Sequence, residues 1–153
     1  MLEAPHVLVG IALAEKAGHP LLAIPLALGS HFVLDMLPHW NPHLNTEMRK
    51  NGRISDMTRR LIFVDGVISL AVIAYFTYRA LPDSFLAGTI LLSAFAAVFP
   101  DLMEAPYFFF KKKTNLLERS IKFQKAIQTD AGPVFGILTQ IAVCALSLWW
   151  ILK

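Results

Sequence analysis

The chain has 153 residues, of which 56% are hydrophobic and 16% charged, and its formal net charge is +3 at pH 7. The hydrophobic share exceeds the roughly 45–50% of a typical soluble domain, the mean hydropathy is +0.54, and the apolar residues stand in blocks. This composition excludes an ordinary soluble domain and predicts an integral membrane protein, with residues 1–153 forming a single domain. The only cysteine, Cys144, excludes a disulfide framework and a cysteine-based zinc finger.

The apolar blocks predict an all-α, polytopic membrane bundle with five transmembrane segments. They cover residues 4–18, 20–38, 61–79, 85–109 and 132–152. An α-helix rises 1.5 Å per residue and needs roughly 20 residues to cross the hydrocarbon core, which the last three segments provide. The first two are short and are separated only by Gly18-His19-Pro20. We therefore predict that they form a compact hairpin that thins the bilayer locally or stops short of crossing it.

The basic residues predict the orientation of these segments. Of the 14 Lys and Arg residues, five lie within residues 40–60 and six within residues 110–131. The positive-inside rule places both loops, and with them the N-terminus, in the cytoplasm. This predicts a multi-pass protein of the inner, cytoplasmic membrane of the cell. The second loop also has the pattern of an amphipathic helix on the inner leaflet, whereas the first is predicted to be a polar loop.

The basic charge also bears on the partners that we expect. Topology and attraction to anionic headgroups account for it, so the lipid bilayer is the expected partner and no nucleic acid is expected. A lipid-like substrate is expected from the position of the ionisable residues described next. The sequence leaves open whether the chain forms a homo-oligomer.

Ionisable residues collect at the predicted cytoplasmic ends of the apolar segments. They are His6, His31, Asp35, His39, Asp65, Asp101 and Glu104. Small residues recur every four positions on the same faces, for example in His6-Gly10-Ala14 and Ala23-Ala27-His31-Asp35. Small residues let membrane helices approach closely, so these faces should point into the bundle. Ionisable groups inside a membrane bundle are costly unless paired, which makes them candidates for function.

Imidazoles and carboxylates that converge in this way are typical ligands of a divalent metal ion. His31 and Asp35 at i, i+4, and Asp101 and Glu104 at i, i+3, each offer two groups from one helix face. Pro38 should end the second segment and turn His39 back towards the same place. The predicted metal ligands are His6, His31, Asp35, His39 and Asp101. Zinc is the first expectation, with magnesium or manganese as alternatives.

Two further roles follow from the same hypothesis. Asp65 or Glu104 would be the spare carboxylate that acts as general base. Arg59 and Arg60, just before the third segment, could hold an anionic headgroup of the substrate, although topology explains them equally well.

Three short motifs are similar to those of a known family. Pro5-His6 is followed by Gly10, Ser30-His31 leads to Asp35 and Pro38, and Phe99-Pro100-Asp101 leads to Glu104. On these motifs the chain resembles the family of small bacterial membrane-bound metal-dependent hydrolases, with the motif order permuted and without that family's Arg-Gly-x-Thr-His element. The resemblance implies a reaction class, metal-dependent hydrolysis, and little more.

The sequence thus supports two functional hypotheses. The first is a metal-dependent hydrolase at the cytoplasmic face, acting on a lipid or another membrane-associated phosphoester or ester. The second is a non-enzymatic membrane protein, a structural subunit or a carrier of cations or protons, whose His/carboxylate cluster fixes helix packing. A carrier usually needs polar groups near the midplane and access from both sides, which this pattern lacks.

Overall fold

The computed structural model describes residues 1–153 as seven α-helices and no strands, which confirms the all-α class. The helices are α1 (Glu3–Ala17), α2 (Pro20–Asp35), α3 (Leu44–Asn51), α4 (Asp56–Arg79), α5 (Ser84–Phe110), α6 (Asn115–Ile127) and α7 (Pro133–Leu152). Three of them, α4, α5 and α7, are long and apolar enough to cross a membrane.

The prediction of five membrane segments is therefore wrong in number. Helices α1 and α2 have only 15 and 16 residues, which corresponds to about 23 Å of helix each. Helix α2 does present apolar side chains outward, since Leu21 and Val33 are largely exposed. Helix α1 does not, and its position explains why.

Helix α1 lies at the centre of the bundle, where α2, α4, α5 and α7 all pack against it. Val7 and Ile11 are fully buried as a result. The small-residue face is the packed face, as predicted: a Cβ added to Gly10 would lie 2.9 Å from the Ala97 Cβ and from the Ser93 carbonyl oxygen. Because neighbouring helices shield α1 from lipid, it need not span the bilayer, and the predicted hairpin describes its connection but not its surroundings.

Two shorter helices lie at the end of the bundle where α1 begins. Helix α6 is amphipathic as predicted, and its apolar residue Ile121 packs with Ile54 and Phe108. Helix α3 falls in the stretch expected to be a polar loop. Its Glu47 carboxylate accepts hydrogen bonds from the Ser55 N–H (2.7 Å) and the Thr58 hydroxyl (2.8 Å) at the start of α4. These bonds lower the pKa of Glu47 below its usual value.

The connections after α2 and before α7 pair with each other. His39 donates its N–H to the Thr129 carbonyl (3.1 Å) and accepts from the Ala131 N–H (2.8 Å), which makes a single parallel bridge between His39 and Asp130. Gly136 of α7 lies directly under this pairing, because a Cβ there would overlap the backbone of His39 and Trp40. This pairing sets the position of the His39 side chain.

Candidate metal centre

The structure brings four of the predicted ligands into one cluster, in which His6, His31 and Asp35 are buried and Asp101 is half-buried. The Asp35 carboxylate lies 3.5 Å from His6 Nε2 and 3.6 Å from His31 Nε2. Asp101 Oδ1 lies 3.7 Å from His31 Nε2. Helices α1, α2 and α5 each contribute, and the small residues on their facing surfaces allow the approach. The Met1 amino group is hydrogen-bonded to Asp35 as well.

The surroundings of His31 determine which of its nitrogens is free to bind a ligand. Its Nδ1 lies 2.9 Å from the Ala97 carbonyl oxygen, so Nδ1 must donate the proton. In the neutral ring Nε2 then carries a lone pair, yet the Gln124 Oε1 at 3.2 Å and both carboxylates that face it are acceptors too. Asp35 already accepts from the Met1 amino group, and a cation or an added proton would satisfy the remaining acceptors around Nε2. A histidine that donates its other ring N–H to a carbonyl is the usual form of a metal ligand.

His6 has no hydrogen-bond partner at either ring nitrogen, although it is fully buried. Its ring stacks on that of His31, with the centroids 4.3 Å apart. Two stacked imidazolium ions would repel each other, so protonating both rings is not a way to satisfy them. The nearest polar atom, Asp35 Oδ1 at 3.5 Å, is beyond an ordinary hydrogen bond. His6 is therefore a buried polar group without a protein partner.

The donor set fits a divalent cation. His6, His31 and Asp101 each offer one ligand atom, and these atoms all lie within 4.8 Å of one another. Two ligands bound about 2.0–2.1 Å from a tetrahedral zinc are about 3.4 Å apart, so the His31–Asp101 separation of 3.7 Å would need to close by a few tenths of an ångström, and no separation in the group by more than about 1.4 Å. The group could hold a metal ion, and the identity of the ion stays a prediction.

His39 is buried as well, but its environment differs. Its Nδ1 donates to the Leu37 carbonyl (2.7 Å), and its Nε2 accepts from the Gln128 amide (3.2 Å). Burial lowers the pKa of His39, which favours the neutral ring. Its Nε2 lies 3.8 Å from Asp35, so it borders the cluster while both nitrogens already have partners.

The two predicted spare carboxylates hold neighbouring groups in place. Asp65 caps α1, because its oxygens accept the Glu3 N–H (2.6 Å) and the Ala4 N–H (3.3 Å) at the start of that helix. Glu104 accepts from the Ser120 hydroxyl (2.8 Å) and from the Gln124 amide (2.7 Å). Since the same amide group faces His31, Glu104 fixes the orientation of Gln124 beside the cluster.

Sequence reasoning missed two residues of this site, Glu3 and Gln124. Glu3 lies next to Asp101 and near Asp65, and its Oε2 is buried without a hydrogen-bond partner. Its spacing could have revealed it, because Glu3, His6 and Gly10 lie on one face of α1. Gln124 carries no comparable signal, since a glutamine in an amphipathic surface helix is ordinary.

A cavity of about 260 Å³ borders the cluster at Asp101, whereas His6, His31 and Asp35 do not line it. Its acidic lining consists of Glu3, Asp65, Asp101, Glu104 and Asp130. Gln124 and Gln128 of α6 and the start of α3 line other walls. Arg59 and Arg60, predicted to contact substrate, do not line this cavity. They line a separate groove on the surface of α4, together with Phe63 and Val64.

Comparisons with protein-family models, with curated proteins and with solved structures give no match to this chain. The resemblance to membrane-bound metal-dependent hydrolases therefore stays a prediction from short motifs. What the structure adds is independent of that resemblance: helices long and apolar enough to cross a membrane, and a buried His/Asp group that could hold a metal ion.

Proposed function

We propose that the protein is an integral membrane metal-dependent hydrolase, with its site at the cytoplasmic helix ends in the inner membrane, acting on a membrane-associated phosphoester or ester. The observation that supports this best is His6, fully buried with neither ring nitrogen hydrogen-bonded. A buried polar group without a partner costs about 1–3 kcal/mol. A cation shared with His31 and Asp101 would remove this cost.

His6, His31 and Asp101 would hold the ion, with Asp35 between the two imidazoles as a further ligand. Two nitrogen donors favour zinc over magnesium or manganese, which prefer oxygen. A divalent ion bound here would lower the pKa of its water towards ~7 and polarise the phosphoryl or carbonyl oxygen of the substrate. The Ala97 carbonyl keeps His31 in the tautomer that such binding requires.

Glu3 is the carboxylate that we assign as proton acceptor. Both oxygens of Asp65 accept backbone N–H groups, whereas Ser120 and Gln124 both donate to Glu104 Oε1 and leave its Oε2 open, so Glu104 is the second candidate. Glu3 Oε2 has no such bond, and Glu3 lines the cavity beside Asp101. A general base needs a free oxygen close to the reacting water. Glu3→Gln should therefore retain the metal and lose hydrolysis, whereas Asp65→Asn should lower stability.

Metal analysis of the detergent-purified protein tests the proposal. Wild type should hold stoichiometric metal, His6→Gln and Asp101→Asn should lose it, and Glu15→Gln, at the far end of α1, should keep it. Absence of metal from wild type after zinc reconstitution would overturn the metal site and leave a polar network that fixes helix packing. Metal without zinc-dependent hydrolysis of vesicle-borne phosphodiester, phosphomonoester or carboxylic ester lipids would overturn the enzyme and favour a structural or cation-handling role.

A further inference from the structure

The groove on α4 is a surface with two chemical halves. Arg59 and Arg60 are exposed at one end, and Phe63 and Val64 are exposed at the other. Arg59 has a single ion pair, with Asp56 at 3.9 Å, and both of its members are well exposed. Exposed ion pairs of this kind contribute little to stability, so the guanidinium groups remain available to another anion. A cationic patch above an apolar patch matches a phospholipid, with its phosphate above its acyl chains.

The groove and the acid-lined cavity share two side chains. Ile62 of α4 and Phe109 of α5 line both. They are therefore the wall between the bilayer-facing surface and the polar cluster. Both are apolar, and Phe109 is 45% exposed, so neither forms a hydrogen bond or ion pair that would have to break for the wall to open.

The groove is basic and the cavity is acidic. Five carboxylates line the cavity, and Lys125 is its one lysine or arginine side chain. The phosphate of an anionic lipid would therefore bind Arg59 and Arg60 in the groove first, and it would face the acidic lining only on entering the cavity. Basic side chains near the membrane surface attract anionic lipid.

We propose that an anionic phospholipid binds in the α4 groove, with its phosphate on Arg59 and Arg60, and reaches the cavity laterally between Ile62 and Phe109. This inference rests on the proposed function for the fate of the lipid, but binding itself does not require the metal or hydrolysis. It names the bilayer as the source of the substrate and α4–α5 as the route.

A binding experiment tests the first part of the proposal, lipid binding in the groove, without any turnover. The protein is placed in nanodiscs of phosphatidylcholine with and without phosphatidylglycerol, re-extracted, and its retained lipid is quantified by mass spectrometry. Wild type should enrich phosphatidylglycerol, and the double variant Arg59→Gln/Arg60→Gln should reduce this roughly tenfold. The control Arg49→Gln/Lys50→Gln removes the same charge from α3, outside the groove, and should retain it.

If both double variants lose the enrichment of phosphatidylglycerol equally, the groove is not the binding site and a general effect of surface charge explains the enrichment. Equal retention of the two lipids by wild type would overturn binding in the groove as well. Because neither outcome depends on metal, failure of the proposed function leaves this result interpretable.

A larger side chain at Ile62, in the wall between the groove and the cavity, tests the lateral route. Ile62→Trp should reduce hydrolysis of vesicle-borne lipid at least several-fold and spare a short-chain, water-soluble analogue. Leu70→Trp, on the exposed surface of α4 outside the groove, is the matched control. Equal effects of Ile62→Trp on both substrates would overturn the lateral route.

Discussion

The centre of the bundle and the connection after α2 each bury imidazole, and they do so in opposite ways. In the centre, His6 has no hydrogen-bond partner and His31 faces a group of acceptors. In the connection, His39 donates to Leu37 and accepts from Gln128. Burial alone therefore does not identify a ligand. The difference between an unsatisfied and a satisfied ring selects the candidate ligand, because the satisfied ring already has its hydrogen-bond partners within the chain.

Removing one imidazole at a time tests this difference most directly. His6→Ala should abolish stoichiometric metal binding, because it removes a ligand from the group. His39→Ala should leave the metal content within about twofold of wild type, because its nitrogens are already used by the protein. Metal analysis and zinc titration of both purified variants provide the measurement. Equal loss in the two variants would return His39 to the ligand set and remove the distinction.

Gln124, beside His31, predicts a smaller effect. Gln124→Leu removes the amide that bonds to Glu104 and whose Oε1 faces His31 Nε2, the nitrogen that would bind the ion. Loss of an oxygen next to the ion, with the proposed ligands intact, should lower metal affinity about tenfold without removing the site. Competition with a zinc chelator should therefore show weaker binding with unchanged stoichiometry. A variant with unchanged affinity would mean that Gln124 only packs α6 against the bundle.

Substitutions at two closely packed glycines, one in each region, test the same comparison. Gly10→Ala pushes α1 away from Ala97 and Ser93. It should therefore lower the free energy of unfolding by about 1–3 kcal/mol and also reduce metal binding. Gly136→Ala presses on the backbone of Trp40, so it should cost a similar amount while the folded fraction keeps its metal. Gly88→Ala, with no atom within 4 Å of the added Cβ, is the control. Thermal unfolding in detergent, with metal content per folded protein, distinguishes them.

The smallest effect lies away from both histidine regions, at Glu47. Hydrogen bonds from Ser55 and Thr58 hold its pKa below the usual value. Its contribution to stability is therefore complete above the unfolded-state pKa, roughly 4.3, and is lost as the pH falls through the lower folded-state pKa. Because the site is partly exposed, Glu47→Gln should cost about 0.5 kcal/mol near neutral pH. Its melting temperature should converge with that of wild type in acid.

The sequence was sufficient to predict that His31, Asp35 and Asp101 come together, because their positions follow from local rules. Four-residue spacing puts side chains on one helix face, and small residues on that face identify the packed side. The same rules could not identify Gln124, whose role depends on where α6 docks. They also missed α3, since eight residues of which six are polar fit a loop equally well in an interhelical stretch.

The central position of α1 could not be predicted from the sequence, for a different reason. Hydropathy states which surroundings a segment tolerates, and an apolar helix tolerates lipid and protein alike. Its length of 15 residues indicated only that a full span was unfavourable. What places α1 in the centre is the combination of Gly10 against α5 and Asp65 on its first N–H groups.

The central position of α1 has a consequence for biogenesis. A short helix that begins with Glu3 and His6 has little reason to remain in lipid by itself, and its pocket is formed by helices that are synthesised after it. We expect α1 to remain at the membrane–water interface during synthesis and to insert between α4, α5 and α7 last. At the proposed metal site, uptake of the ion would then follow the docking of α1, because His6 stacks on His31 only when α1 lies beside α2.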